Sequence, residues 1–324
     1  MLLPLLLALL LTADEAPRAP PPRDIAPGVT LIPGAILPGR GPDGNTVIFE
    51  GRDGLAVVDT GRHVWHSDAI LAFAEVEHQP IAAIINTHWH LDHSSGNRRL
   101  RAVYPDAPVF TTNAIDRALS PEGFLTINRN EAQLRAMLED PEVPEIRKEE
   151  IRNGIATMEA RDTLRPSVSM QRSGRYNFAG RRLDVHITDG AVTDADIWLY
   201  DRRTRVAVLG DLVTFPAPFF ESACPNAWRR ALDAVWETPF RIAIPGHGEP
   251  MNRDQFNAYR GAFNGFVDCV QSDTEAGQCA TVWLDRAAQF YTTDEARAEA
   301  REYAEYYVGF LREHNGAGQT CLTN

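Results

Sequence analysis

A layered α/β architecture around one core is the fold class this sequence predicts, and two observations support it. Short apolar runs rich in β-branched residues, such as Ile81–Ile85 and residues 206–210, alternate with stretches of helical spacing. The chain has 324 residues at 44% hydrophobic content and no internal repeat, which suits one large core.

Residues 1–11 are almost wholly apolar and lead into Thr12-Ala13-Asp14-Glu15-Ala16. They are too few to span a bilayer as a helix and suit the core of a signal peptide. Residues 1–16 are therefore expected to be a signal peptide, with a truncated start or an uncleaved anchor as alternatives. Residues 17–28 are dense in proline and read as an extended, unpacked linker, so the main domain is expected over 29–324. Residues 45–49 and 55–61 read as two strands joined by the turn Gly51-Arg52-Asp53-Gly54. Helical spacing over 67–78 precedes a strand at 81–86, and 108–111 is another short strand.

From about 120 to 171 the chain is charged and helix-favouring, broken by Pro121, Pro141, Pro144 and Pro166. This stretch reads as a helical insertion, either a lid over a site or a solvated flap. Strands resume at 182–187, 197–200 and 206–210, and a helix over 228–236 leads to a strand at 240–244. A helical C-terminal extension is expected over 254–324, ending in a loose tail from 316.

A net charge of −12 with no basic run argues against a nucleic-acid partner. Lys148 is the sole lysine, which with heavy alanine use points to a GC-rich bacterial genome. Cys224, Cys269, Cys279 and Cys321 form no C-x-x-C pair, and four cysteines allow three connectivities. Export would favour Cys269–Cys279 closing a local loop and Cys224–Cys321 tying down the tail, against the alternative of buried free thiols. A periplasmic or secreted protein without a stable membrane span is expected.

The densest chemistry lies in Thr87-His88-Trp89-His90-Leu91-Asp92-His93. Side chains alternate along a strand, so His88 and His90 point the same way as the run 81–86 ends. Asp92 and His93 return toward the same point after a turn. Imidazole and carboxylate donors of this kind suit zinc and similar divalent ions. Asp211 ends the run 206–210, and His247 follows another apolar strand inside Pro245-Gly246-His247-Gly248.

With these residues in place the chain resembles the metallo-β-lactamase-fold hydrolases. The likeness rests on Val58-Asp59-Thr60-Gly61, His88-x-His90-x-Asp92-His93, Leu209-Gly210-Asp211 and Pro245-Gly246-His247-Gly248, and covers roughly residues 29–255. It implies a four-layer αββα sandwich with a metal site at one edge of the sheets. His88 and His90 would serve a first metal position. Asp92, His93 and His247 would serve a second, with Asp211 between them and Asp59 steadying the ligand loop. One or two zinc ions, or another divalent metal, are implied, with no further cofactor. A metal-bound hydroxide would attack an ester, lactone, thioester or β-lactam-like amide of a small molecule, with Asp92 as ligand or orienting base. The aspartate at 211, where β-lactamases of the group commonly have cysteine or serine, points to the thioesterase, lactonase and broad-hydrolase branches.

One position departs from the pattern. The family's third histidine for the first metal falls on Val192 within Asp189-Gly190-Ala191-Val192-Thr193-Asp194-Ala195-Asp196. Three outcomes are open: one zinc at the second position, a first position completed by water or by Asp189, Asp194 or His186, or a metal kept for structure alone. Two other functions stand beside hydrolysis. One is a non-hydrolytic metal-binding accessory protein of the periplasm. The other is a mononuclear iron sulfur-dioxygenase-like enzyme, whose site needs the missing histidine.

Overall fold

The computed structural model describes residues 17–127 and 129–321, so the signal-peptide reading of residues 1–16 lies outside the described residues. Among these, seven strands form one sheet in chain order: β1 (Arg23–Ala26), β2 (Val29–Ile32), β3 (Thr46–Glu50), β4 (Leu55–Val58), β5 (Ile81–Ile85), β6 (Val109–Thr111) and β7 (Val168–Ser169). The first four are antiparallel to one another, and β4 to β7 run parallel. A second sheet holds β8 (Gly174–Phe178), β9 (Arg181–Asp189), β10 (Ala195–Asp201), β11 (Val206–Val208) and β12 (Ile242–Ile244), with only the pair β11–β12 parallel.

Alternation of side chains across each strand builds the layers. Val47 and Phe49 of β3 meet Leu183, Val185 and Leu199 between the sheets. Ile48 turns outward and packs with Ile70 and Leu100, from α1 (Val64–Val76) and, beyond the single turn α2 (Leu91–Ser94), α3 (Asn97–Val103). The insertion follows as α4 (Ala114–Ala118), α5 (Phe124–Ile127), α6 (Glu131–Glu139) and α7 (Glu145–Glu159). On the far side, Trp198 and Tyr200 of β10 pack under α8 (Pro225–Glu237), α9 (Arg253–Val270), α10 (Ala276–Arg286) and α11 (Asp294–Glu313). The result is a four-layer αββα sandwich with a helical C-terminal extension. Phe256, Phe263 and Phe266 on α9 are fully buried, each worth roughly 1.5–3 kcal/mol relative to exposure, so the extension shares the main core.

Three sequence readings are corrected. Part of the proline-rich stretch packs, because Arg23–Ala26 forms β1 at the sheet edge. Proline is tolerated at such an edge, and Pro20, Pro21 and Pro22 masked the strand behind them. The segment 120–171 is not helical throughout, since Val168–Ser169 closes the first sheet beside β6. Strand β8, which begins before the strands expected from 182, has an apolar signal of two aromatics alone, Tyr176 and Phe178, four of its five residues being exposed or half-buried. The cysteines form the two expected bridges, Cys224–Cys321 and Cys269–Cys279.

Candidate metal centre

Four chain segments meet at one edge of the sandwich because the parallel pairs β4–β5 and β11–β12 end there together. Asp59 follows β4, residues 87–93 follow β5, Asp211 follows β11 and His247 follows β12. Two glycines permit the approach. A Cβ at Gly246 would lie 2.0 Å from Asp211 Oδ1, and one at Gly44 would lie 2.4 Å from the His93 ring.

The side chains fall into two overlapping groups: His88, His90 and Asp211, and Asp92, His93, Asp211 and His247. Every donor atom within a group lies within 4.8 Å of the others. Asp211 Oδ2 stands 3.6 Å from His88 Nε2 and 3.8 Å from His90 Nδ1. Its Oδ1 stands 3.1 Å from His93 Nε2 and 3.6 Å from His247 Nε2. Asp92 Oδ2 is 3.0 Å from His247 Nε2. The shared aspartate thus touches both groups through different oxygens.

Hydrogen bonds on the outer side of each ring decide which nitrogen faces inward. Asp59 Oδ2 accepts from His93 Nδ1 at 2.8 Å and from the Thr87 hydroxyl at 2.7 Å. Having given its proton to Asp59, Thr87 Oγ1 accepts from His88 Nδ1 at 2.9 Å. The inner nitrogens, His88 Nε2 and His93 Nε2, are left for the centre. His88 Nε2 is buried without a hydrogen-bond partner, an orphan that a cation would satisfy. Burial works against charge on His93, yet Asp211, Asp59 and Asp92 hold its pKa well above the ordinary histidine value. Burial opposes ionisation of Asp92 as well, but His93 and His247 keep it far below the usual carboxylate range. Asp211 is held low in the same way by His93 and His247. Burial, then the neighbouring His88, lowers the pKa of His90. Anionic carboxylates, clustered imidazole nitrogens and one orphaned ring nitrogen fit a divalent cation.

The family model for the metallo-beta-lactamase superfamily matches residues 39–247. This chain belongs to the metallo-β-lactamase superfamily. The linear primary-alkylsulfatase of a Pseudomonas species is 23% identical over 63% of the chain and 41% of its own length. A hydroxyacylglutathione hydrolase of a Synechococcus species is 41% identical over 20% of the chain and 24% of its own length. The chain therefore spans less than half the length of either curated relative. The solved stereoselective inverting sec-alkylsulfatase of a Pseudomonas species superposes with a TM-score of 0.59 at 18% identity, over 94% of the chain and 52% of that structure.

Within this superfamily member, the turn at Val192 is built differently from a ligand loop. The Val192 side chain is buried in the core that packs under α8 and α9. Asp196 organises the turn by accepting from the backbone N–H groups of Ala191, Val192 and Thr193. Burial pushes the Asp196 carboxyl up to about 7, against the pull of its Thr193 and Val192 donors. None of the suggested replacements joins either donor group among the described residues. His186 stacks on Trp198 with ring centroids 3.7 Å apart, and Asp194 lies 3.4 Å from Arg117. Asp189 lines a separate cavity with Asp194.

Beside the donor groups opens a cavity of about 810 Å³. The rings of Trp89, Phe219 and Phe124 surround His90 with centroids 4.7, 5.2 and 6.4 Å away. Phe124 comes from the helical insertion and Tyr307 from α11, so both additions to the sandwich line this space. On the opposite side Arg62 Nη2 stands 3.9 Å from Asp92 Oδ1. Sequence reasoning gave no role to Thr87 or Arg62, which flank recognisable motifs; the first bonds the His88 ring and the second stands beside Asp92.

Proposed function

We propose that the protein is a periplasmic or secreted zinc hydrolase acting on a small molecule with an apolar body. The substrate would be an ester, lactone, thioester or β-lactam-like amide, and the alkylsulfatase relatives add sulfate esters to this class. The observation that carries the reading is the pair of donor groups sharing Asp211. When bound there, a divalent ion lowers the pKa of a water from about 15.7 to roughly 7 and polarises the scissile group. His88, His90, His93, Asp92, Asp211 and His247 would hold it, and Asp92, next to His247, would also orient the attacking water. Arg62, beside Asp92, is placed to meet negative charge developing on the substrate. The aromatic collar around His90 would receive the apolar body and exclude bulk water. Two disulfides among the described residues support an oxidising compartment, and no helix among them is long and apolar enough to cross a membrane.

The test is elemental analysis of protein purified in its oxidised form, followed by a panel of aryl esters, lactones, thioesters, a chromogenic cephalosporin and aryl sulfates. Turnover that is lost in Asp211→Ala supports the hydrolase. Bound zinc with no turnover across the panel would instead favour the accessory role. The dioxygenase reading is disfavoured by Val192, whose side chain lies in the apolar core.

A further inference from the structure

We propose that Ser222 is a positioning residue for His90, and that the C-terminal segment stapled by Cys224–Cys321 keeps Ser222 in place. Loading of the first metal position would then depend on an intact tail. The inference rests on the metal-binding reading above, but its central step is a hydrogen-bond direction visible without metal.

Ser222 Oγ carries a single proton and donates it to the Val192 carbonyl at 2.8 Å. Its remaining contact, His90 Nε2 at 2.9 Å, must therefore be one in which the ring donates. That fixes the Nε2–H tautomer and leaves the Nδ1 lone pair facing Asp211 Oδ2, 3.8 Å away. Thr87 does the same for His88, anchored on Asp59. At the first position the chain thus lacks the usual third histidine side chain, and the backbone at that residue supports a neighbouring ligand instead.

Ser222 is fully buried, yet its own segment has no regular structure. Partners for this loop come from the far end of the chain. Gln319 N donates to Glu221 O at 2.7 Å, Gly318 N donates to Ala223 O at 2.7 Å, and the Thr320 hydroxyl donates to Ser222 O. Gly318 has no room for a side chain, since a Cβ there would lie 2.3 Å from Phe220 O. Cys321 then closes the bridge to Cys224, whose own N–H donates to Ala191 O at 2.8 Å. Three successive loop carbonyls and one covalent bond thus hold the residue that orients His90, and the same loop is tied to the Val192 turn.

The experiment compares wild type, Ser222→Ala, Ser222→Thr and Cys321→Ser, titrated with Zn²⁺ against a chromogenic chelator. Ser222→Ala and Cys321→Ser should weaken one metal equivalent by about 10–100-fold, the range for lost outer-shell partners, and leave the other unchanged. Ser222→Thr, which keeps the hydroxyl, should recover most of the loss. In metal-free protein the ¹⁵N shifts of His90 should report Nε2–H in wild type and a tautomer mixture in Ser222→Ala. Thermal melts of the Ser222 variants control for folding, and their tautomer result stands even if Cys321→Ser does not fold. Wild-type metal affinity at both positions in Ser222→Ala, or an Nδ1–H tautomer in wild type, would overturn the proposal. Wild-type protein that binds no metal would sink the hydrolase reading, while the tautomer measurement would still decide the role of Ser222.

Discussion

The carboxylate of Asp59 accepts the Nδ1–H of His93 at 2.8 Å, and the same oxygen accepts from Thr87 at 2.7 Å. One buried atom thereby orients two candidate ligands, His93 directly and His88 through a hydroxyl. Its other oxygen accepts the Thr87 N–H at 2.8 Å, so the carboxylate also fixes the backbone where β5 gives way to the ligand loop. Asp59→Asn presents an amide donor to at least one of these donors. Metal affinity should fall by about 10–100-fold, read by chelator competition. Affinity equal to wild type would show that the rings orient themselves without Asp59.

Asp211 is the point where the two donor groups overlap. Its removal strips a ligand from both positions and leaves four inward-facing imidazoles without their shared anion. Asp211→Ala should lose most bound zinc, measured by elemental analysis after gel filtration. Full metal content in that variant would refute the bridging assignment.

Much of this arrangement was legible because strand ends are chemically conspicuous. Buried apolar runs stop at Val58, Ile85, Val208 and Ile244, and the polar residues just beyond them converge at one sheet edge. What escaped notice had no such contrast. Strand β8 fully buries Phe178 alone and is otherwise exposed or half-buried, and β1 follows three prolines. Ser222 is an ordinary serine in an irregular loop, and its role arises only when the tail, nearly a hundred residues later, crosses over it. Val192 was visible as a departure, but pattern alone could not tell that its carbonyl would serve Ser222.

Metal uptake should release protons near neutral pH. In the metal-free centre, burial disfavours the charged form of His93, but Asp211, Asp59 and Asp92 raise its pKa well above 6.5. A group raised in the folded state adds stability below its unfolded pKa and loses that contribution as pH climbs through the folded value. Zinc must displace the Nε2 proton, so apparent affinity should rise with pH up to that raised value. Asp92 and Asp211 are held low and add no proton here. Titration in buffers of different ionisation enthalpy should count roughly one proton released per protein at pH 7. A pH-independent affinity between pH 6 and 8 would mean that His93 is neutral before metal arrives.

The aromatic collar predicts which kinetic constant responds to the apolar body of the substrate. Phe219 packs edge-on against His90 with centroids 5.2 Å apart, and the rings of Tyr307 and Phe124 lie 6.2 and 6.4 Å from it. Phe219→Ala removes an apolar wall, worth on the order of 1–2 kcal/mol for a bound alkyl or aryl group. KM for hydrophobic esters should rise about tenfold with little change for a short acetyl ester. An equal rise for both would show that the substrate body does not lie along this wall.

Glu150 decides whether the helical insertion is a loose flap or part of the scaffold. It projects from α7, yet its carboxylate accepts from Gly41 N at 3.1 Å, Arg40 Nη1 at 3.3 Å and His63 Nε2 at 2.9 Å. His63 is bonded on its other side to Asp43 at 2.8 Å, and Asp43 Oδ1 accepts the N–H of Arg62 and of His63. The insertion is thereby tied to two loops, residues 33–45, which seat Gly44 against His93, and residues 59–63, which carry Arg62 toward the cavity. Glu150→Ala removes one partner from Arg40 and one from His63, which keep Glu149 and Asp43, so the loss should be about 1–3 kcal/mol. Urea unfolding should register that loss as one cooperative transition, and limited proteolysis should begin to cut within residues 120–171. A variant with an unchanged midpoint and a protease-resistant insertion would show that α7 is held by its apolar contacts alone.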